Sequence, residues 1–245
     1  MEKQGIYAYG VVDGLQINIE DYFTVSHKSL ILIGKMINIP DFQKDLQEAL
    51  KNPKVMEVVL TEHQSFLDML MRKTTVVPFQ FGTILKDEKG AADYLKSSYA
   101  KYKELLKKFK GREEWGVRVF ADLKQVKTNI FSNPKIRENL GTGTAYLLKR
   151  KQEEEAEKAV NEKLASFSGE ILDGLKEFAF ESKVTKSTQR FSEKGEALVS
   201  VFTLLLPKSK IGKFNQKLAC LQKKYREFGL RLISSGPWPA YSFIS

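Results

Sequence analysis

The 245-residue chain carries 40 Lys and Arg against 30 Asp and Glu, and 42% of its residues are hydrophobic. This length accommodates one large domain or two of ordinary size, and the composition excludes a mainly disordered chain. The longest apolar stretch, 197–206, is too short to span a bilayer, and no secretion signal is expected at the N-terminus. The single cysteine, Cys220, cannot form an internal disulfide, so a reduced, cytoplasmic protein is expected.

The first half of the chain alternates predicted strands and helices. Strands are expected at 6–12, 15–19, 30–33, 76–81 and 114–120. A short helix is expected to begin at Asp41, which is its candidate N-cap, and two further helices are expected at 55–72 and 91–109. The stripe of the 55–72 helix that is expected to be buried contains Val55, Val59, Phe66 and Leu70. Split β-α-β units of this kind predict a modified ferredoxin-like sandwich over residues 1–122, as part of an α+β protein with two domains.

A smaller α+β domain is predicted over residues 123–235. It begins with a linker-like stretch that contains Asn133-Pro134 and Gly141-Thr142-Gly143, and a long helix is then expected within 142–179. The Ser168-Gly169 pair is expected either to kink this helix or to divide it. The domain is completed by strands at 183–191 and 197–206, a helix that opens at Pro207 and Ser209 and ends at Gly229, and a strand at 230–234.

Residues 236–245 form an aromatic tail, in which two prolines stiffen the backbone around Trp238. Three exposed aromatic side chains on a mobile end would favour aggregation. Trp238, Tyr241 and Phe243 are therefore expected to dock on the protein itself, in a groove beside the last helix or between the domains. An arm that binds a partner is the alternative for the same residues.

A strip of basic residues accompanies the last predicted helix. At about 100° per residue, four lysines form a stripe beside the apolar one, which is centred near Phe214 and Tyr225. Either a solvated flank of a packed helix or a surface for an acidic partner explains such a strip. The candidate partner-binding residues are Lys210, Lys213, Lys217, Lys224, Arg231, Trp238, Tyr241 and Phe243.

The sequence indicates neither catalysis nor a cofactor. His63 lies on the apolar stripe of its helix, where a hydrogen-bonded structural histidine is favoured over an acid–base pair with Glu62 or a metal ligand. Motifs for nucleophiles and for phosphate-binding glycine loops are absent, and Cys220 has no evident base. We therefore expect a protein that is not an enzyme and that has no catalytic, cofactor-binding or metal-binding residues.

Four short motifs follow one another along the chain: Tyr7-Ala8-Tyr9-Gly10, Pro78-Phe79-Gln80-Phe81-Gly82-Thr83, Gly143-Thr144-Ala145-Tyr146-Leu147 and Gly236-Pro237-Trp238-Pro239-Ala240-Tyr241-Ser242-Phe243. Together they resemble the gas vesicle accessory protein family GvpF/GvpL, and the resemblance spans residues 5–243. It implies a cytoplasmic protein at the gas vesicle that binds the hydrophobic wall-forming structural protein. Such a protein would prevent aggregation of the wall protein during nucleation, would contact other accessory proteins and could stay as a minor vesicle component.

A ferredoxin-like RNA-binding protein with a basic surface is the alternative interpretation, because ferredoxin-like sheets also bind RNA. RNA-binding strands of that type carry a run of glycines and aromatic residues, and the nearest segment, 116–120, lacks it. Binding of nucleic acid or of a membrane is therefore not expected. The sequence leaves the oligomeric state open.

Overall fold

The computed structural model of the chain describes residues 4–14, 22–131, 145–186 and 195–244. The strands in this part are β1 (Gln4–Asp13), β2 (Phe23–His27), β3 (Leu30–Asn38), β4 (Val76–Pro78), β5 (Ile84–Leu85), β6 (Arg112–Ala121), β7 (Glu181–Lys186), β8 (Ala197–Pro207) and β9 (Leu230–Trp238). The α-helices are α1 (Ile39–Lys51), α2 (Pro53–Lys73), α3 (Glu88–Ser97), α4 (Tyr99–Phe109), α5 (Leu123–Phe131), α6 (Ala145–Lys176) and α7 (Ile211–Arg226). The expected α+β class is confirmed, with two antiparallel sheets.

The chain forms two compact units. The first contains Met1–Glu114 and Pro237–Ser245, and the second contains Trp115–Gly236. The sequence predicts a boundary at residue 122 instead, because β6 follows the helices of the first unit along the chain. Since β6 is hydrogen-bonded to β8 and β9, most of this strand belongs to the second unit.

The sheet of the first unit has the order β2-β3-β1-β4, and β5 pairs with β1. The antiparallel pairing of β1 with β3 shifts between Ala8 and Gly10, so that Tyr9 is the extra residue of a bulge. A Cβ atom on Gly10 would lie 2.8 Å from the carbonyl oxygen of Val77. Only glycine therefore allows β4 to approach β1 this closely.

Two features of the helices in the first unit differ from the sequence-based prediction. The N-cap of α1 is Asn38 and not Asp41, because the Asn38 side chain accepts a hydrogen bond from the Asp41 N–H. The helix predicted at 91–109 is two helices that meet at Ser98. At this junction the Ser97 hydroxyl donates to the Tyr94 carbonyl, a local bond that competes with regular helical pairing.

The sheet of the second unit has the order β7-β8-β6-β9, and its core is formed with residues of α5, α6 and α7. The stretch after Asp122 was predicted to be a linker, but it begins with α5, whose N–H groups at Lys124 and Gln125 donate to the Asp122 carboxylate. The helix α6 is continuous through Ser168-Gly169, so of the two expected alternatives, a kink or a division, the division does not occur.

Some predicted features lie outside the described residues. They are the strand at 15–19, the linker punctuation at 133–134 and 141–143, and the end of the strand at 183–191. The predicted strand at 230–234 continues as β9 to Trp238, so the first residues of the aromatic tail are extended backbone.

Candidate functional site

A buried histidine lies at the centre of an aromatic cluster in the first unit. His63 on α2 is held between two tyrosines, with Nδ1 2.7 Å from the Tyr7 hydroxyl and Nε2 3.2 Å from the Tyr241 hydroxyl. The Gly82 N–H donates to the Tyr7 hydroxyl over 3.4 Å. In a neutral imidazole one ring nitrogen donates and the other accepts, and a tyrosine hydroxyl can do either, so His63 can hydrogen-bond to both tyrosines without a charge.

The cluster is uncharged near neutral pH. Burial lowers the pKa of His63, and a hydrogen bond with the Phe79 backbone only partly opposes this effect. Burial also raises the pKa of Tyr7 and Tyr9 to about 12 and shifts the pKa of Tyr241 upward. Neutral groups with these pKa values are suited to packing and hydrogen bonding rather than to proton transfer at physiological pH.

The aromatic tail is held on the first unit by polar contacts next to this cluster. The Ser242 N–H and hydroxyl each donate to the Glu114 carboxylate over 2.8 Å. Lys108 donates to the Phe243 carbonyl over 3.2 Å, and the Phe243 side chain is fully buried. The tail thus packs on the first unit, whereas the sequence suggested a groove beside the last helix or one between the domains.

The three aromatic residues that were singled out in the tail have different environments. Phe243 is completely buried and Tyr241 is partly buried, whereas the Trp238 side chain is 39% exposed. Glu114 holds the tail although the sequence analysis did not select it. Glu114 lies at the start of an expected strand, and nothing in the local sequence indicates that it binds Ser242, which is 128 residues away.

The predicted basic strip lies on the second unit, and most of its lysines contact α6 or the residue after it. Lys224 is 3.3 Å from the Glu170 carboxylate, and Lys217 is 3.8 Å from the Glu177 carboxylate. Lys210 donates to the Glu177 carbonyl over 3.4 Å. Among the described residues, Lys213 has no such contact. The role of these lysines in binding a partner stays a prediction.

Arg231 also has an intramolecular partner. Its guanidinium forms a bidentate ion pair with Glu196, in which Nε lies 3.0 Å from both carboxylate oxygens. The same group lies 5.0 Å from the centre of the Phe120 ring. Such pairs position the guanidinium on the surface of the second unit, and a role in binding a partner remains a prediction.

A groove of about 1000 Å³ lies next to the aromatic cluster. One wall is formed by residues 57–69 of α2, and the other side by Tyr9, Tyr22 and Lys35. The Phe66 ring lies 4.0 Å from the Tyr22 ring and 4.3 Å from the Tyr9 ring, measured between centroids. This groove was not predicted, because Phe66, which lines it, was assigned to a buried stripe together with Val55, Val59 and Leu70. Val55 is in fact exposed.

Within the residues that the structure describes, no group of three or more His, Cys, Asp or Glu side chains is placed to hold a metal ion. No described helix is both long enough and apolar enough to cross a bilayer. The thiol of Cys220 is exposed on α7.

Comparison with known proteins identifies the family. A sequence model described as gas vesicle synthesis protein GvpL/GvpF matches residues 5–245. The chain belongs to the GvpL/GvpF family. It is 24% identical over 97 residues to gas vesicle protein L of Streptomyces sp. strain CB03234, a match that covers 39% of this chain and 36% of that relative's length.

Two crystal structures of GvpF proteins share the fold. The one from Anabaena sp. PCC7120 has a TM-score of 0.75 at 18% identity, over 99% of this chain and 96% of that chain. The one from Microcystis aeruginosa has a TM-score of 0.71 at 16% identity, over 98% of this chain and 99% of that chain. At these identities the likeness concerns the fold.

Three of the four GvpL/GvpF motifs recognised in the sequence meet around His63. The first motif supplies Tyr7 and Tyr9, the second supplies Phe81, whose ring centre is 5.6 Å from that of His63, and the last supplies Tyr241. Gly143 and Thr144 of the remaining motif lie outside the described residues. The family motifs therefore mark the site where the tail docks.

Proposed function

We propose that this GvpL/GvpF protein is a non-catalytic accessory factor of gas vesicle assembly. It binds the hydrophobic wall-forming structural protein in the cytoplasm and prevents its aggregation during nucleation, together with other accessory proteins. It can stay in the vesicle as a minor component. The family match over residues 5–245 is the observation that carries the proposal.

A physical argument supports this role. A subunit that exposes a large apolar face aggregates unless the face is covered until assembly. A protein that covers such a face needs apolar surface of its own. The first unit has exposed apolar side chains at Met36, Leu50, Val55, Val58 and Leu60.

Co-purification with the wall protein tests the proposal. The tagged protein is expected to capture the wall protein equally well with and without nuclease treatment. An unrelated protein of similar size and net charge is the control, because a chain of net charge +10 attracts acidic molecules without specificity. Absence of capture contradicts the proposal.

The RNA-binding alternative predicts a different result in the same experiment. Captured material would then be nucleic acid, and any wall protein would be lost after nuclease treatment. The ion pairs of Lys217 and Lys224 with α6 and the adjoining Glu177 already compensate part of the basic strip on which that alternative depends.

Suppression of aggregation is a second readout of the proposed function. When denatured wall protein is diluted into buffer, an equimolar amount of this protein should keep light scattering low. The expected effect saturates at a fixed stoichiometry, because a defined surface is covered. A control protein should leave the scattering unchanged.

A further inference from the structure

One face of α2 forms a continuous wall of the groove in the first unit. Val58, Thr61, Glu62, Ser65, Phe66 and Met69 all line the groove, and their spacing of three and four residues puts them on one helical face. This face spans about 16 Å at 1.5 Å per residue, which is three helical turns. A partner helix of three turns would therefore match the wall in length.

The aromatic side of the groove is preorganised, whereas polar side chains line most of the rest of it. Tyr9 stacks on the imidazole of His63 with a distance of 5.4 Å between ring centres, and it also contacts Phe66. His63 is fixed in turn by its hydrogen bonds to Tyr7 and Tyr241. These rings lose little freedom when a partner binds, which favours affinity.

The chain's own tail does not fill the groove. Tyr241 contacts the Nε2 side of His63, and no described residue of the tail lines the groove. At the other end of the wall, Val58 is 57% exposed although it is apolar. Within residues 4–14, 22–131, 145–186 and 195–244, no segment of the chain occupies the groove.

The charges at the groove are unusual for this protein. Glu57 and Glu62 line it together with one cation, Lys35, whereas the whole chain has a net charge of +10. Within residues 4–14, 22–131, 145–186 and 195–244, neither carboxylate forms a hydrogen bond or an ion pair. A basic side chain of a partner would therefore be attracted by two carboxylates and would not have to displace another cation from them.

We propose that this groove binds an amphipathic helix of the wall protein. The apolar face of that helix packs on Val58, Phe66 and Met69, and a basic side chain at its edge lies next to Glu57 and Glu62. This is the helix-in-groove mode of recognition, in which apolar residues at three- and four-residue spacing are the anchors. The inference rests on the proposed function, since it names the surface that binds the wall protein.

Two variants test the apolar and the charged contribution separately. Val58→Glu should lower the affinity for the wall protein at least tenfold, whereas Leu50→Glu is its control because Leu50 is 66% exposed and does not line the groove. Glu57→Lys combined with Glu62→Lys should weaken binding at low salt and reduce its salt dependence. Glu48→Lys, at an exposed site on α1, is the charge control.

A synthetic peptide makes the test independent of the wall protein. The probe is an amphipathic helix of about 15 residues with leucines on one face and lysines on the other, and the comparison peptide carries glutamates in place of the lysines. The protein should bind the lysine peptide more tightly, and Val58→Glu should abolish the binding. Circular dichroism confirms that each variant is folded.

The outcomes separate the two claims. Failure of the unchanged protein to capture the wall protein overturns the proposed function, and the peptide still decides whether the groove takes a basic amphipathic helix. Unchanged binding of the wall protein or of the lysine peptide in Val58→Glu and in the double lysine variant overturns the groove proposal. Equal affinity for the lysine and the glutamate peptides also overturns it.

Discussion

Phe243 offers a sharp test of what the aromatic tail contributes to the first unit. Its side chain is fully buried, and its backbone carbonyl accepts a hydrogen bond from Lys108 over 3.2 Å. Replacement of a buried phenylalanine by alanine costs about 3–5 kcal/mol, because transfer free energy is lost and a cavity remains. Domains are stable by only about 5–15 kcal/mol, so Phe243→Ala should remove a large part of the stability of this unit.

Urea unfolding followed by circular dichroism measures the effect. With a slope of about 2 kcal/mol per M, the midpoint of the first unit should fall by about 1.5–2.5 M. Phe180→Ala is the matched control, because Phe180 is 54% exposed and belongs to the second unit. Its midpoint should move by less than about 0.5 M. A midpoint for Phe243→Ala that equals that of the unchanged protein would refute the docking of the tail.

Two further predictions concern titratable groups. Burial holds the pKa of His63 below 6.5, so the unfolded chain takes up this proton first as the pH falls, and stability should decrease from about pH 6.5 downward. His63→Gln should be less stable at pH 8, should lack this decrease and should bind the wall protein within a few fold of the unchanged protein. An unaltered pH profile of the urea midpoint, or stoichiometric metal that is lost in this variant, would contradict the structural role. Lys217→Gln with Lys224→Gln should lower the melting temperature slightly at low salt and not at high salt, because exposed ion pairs are screened, and Lys213→Gln is the control. A loss that persists at high salt would contradict this assignment, and partner binding of the variant with all four strip lysines replaced tests their predicted docking role.

Helical periodicity predicted the packing of α6 correctly. Their spacing puts seven apolar residues on one helical face, and five of these are buried in the core of the second unit, whereas Ala156 and Phe178 are partly buried: the buried five are Val160, Leu164, Phe167, Ile171 and Leu175. Helix contacts of this kind repeat every three or four residues, so a local pattern contains the information. The N-terminus of the short helix α5 also has a local signal, because Asp122 caps it. A linker was predicted there instead, because Asn133-Pro134 follows soon afterwards.

A local sequence pattern does not show which strands pair with each other or which residues the tail contacts. The alternation in β6 predicts a strand, but only the folded chain shows that its neighbours are β8 and β9, far away in sequence. His63 and Tyr241 were both selected from the sequence, yet their contact across 178 residues was not. The same holds for the groove, because Val58 is as apolar as a core residue and only the tertiary structure leaves it exposed.

The first unit consists of two pieces of chain, residues 1–114 and 237–245, and this order has a consequence during synthesis. The ribosome must translate the 122 residues of Trp115–Gly236 before Tyr241 and Phe243 exist. At about 5–20 residues per second, this interval lasts on the order of 6–25 s. For that time a nascent chain has His63 without its Tyr241 partner, so the aromatic cluster beneath the groove is completed only when translation reaches the tail. The full set of hydrogen bonds around His63 is therefore formed only after the second unit has also been translated.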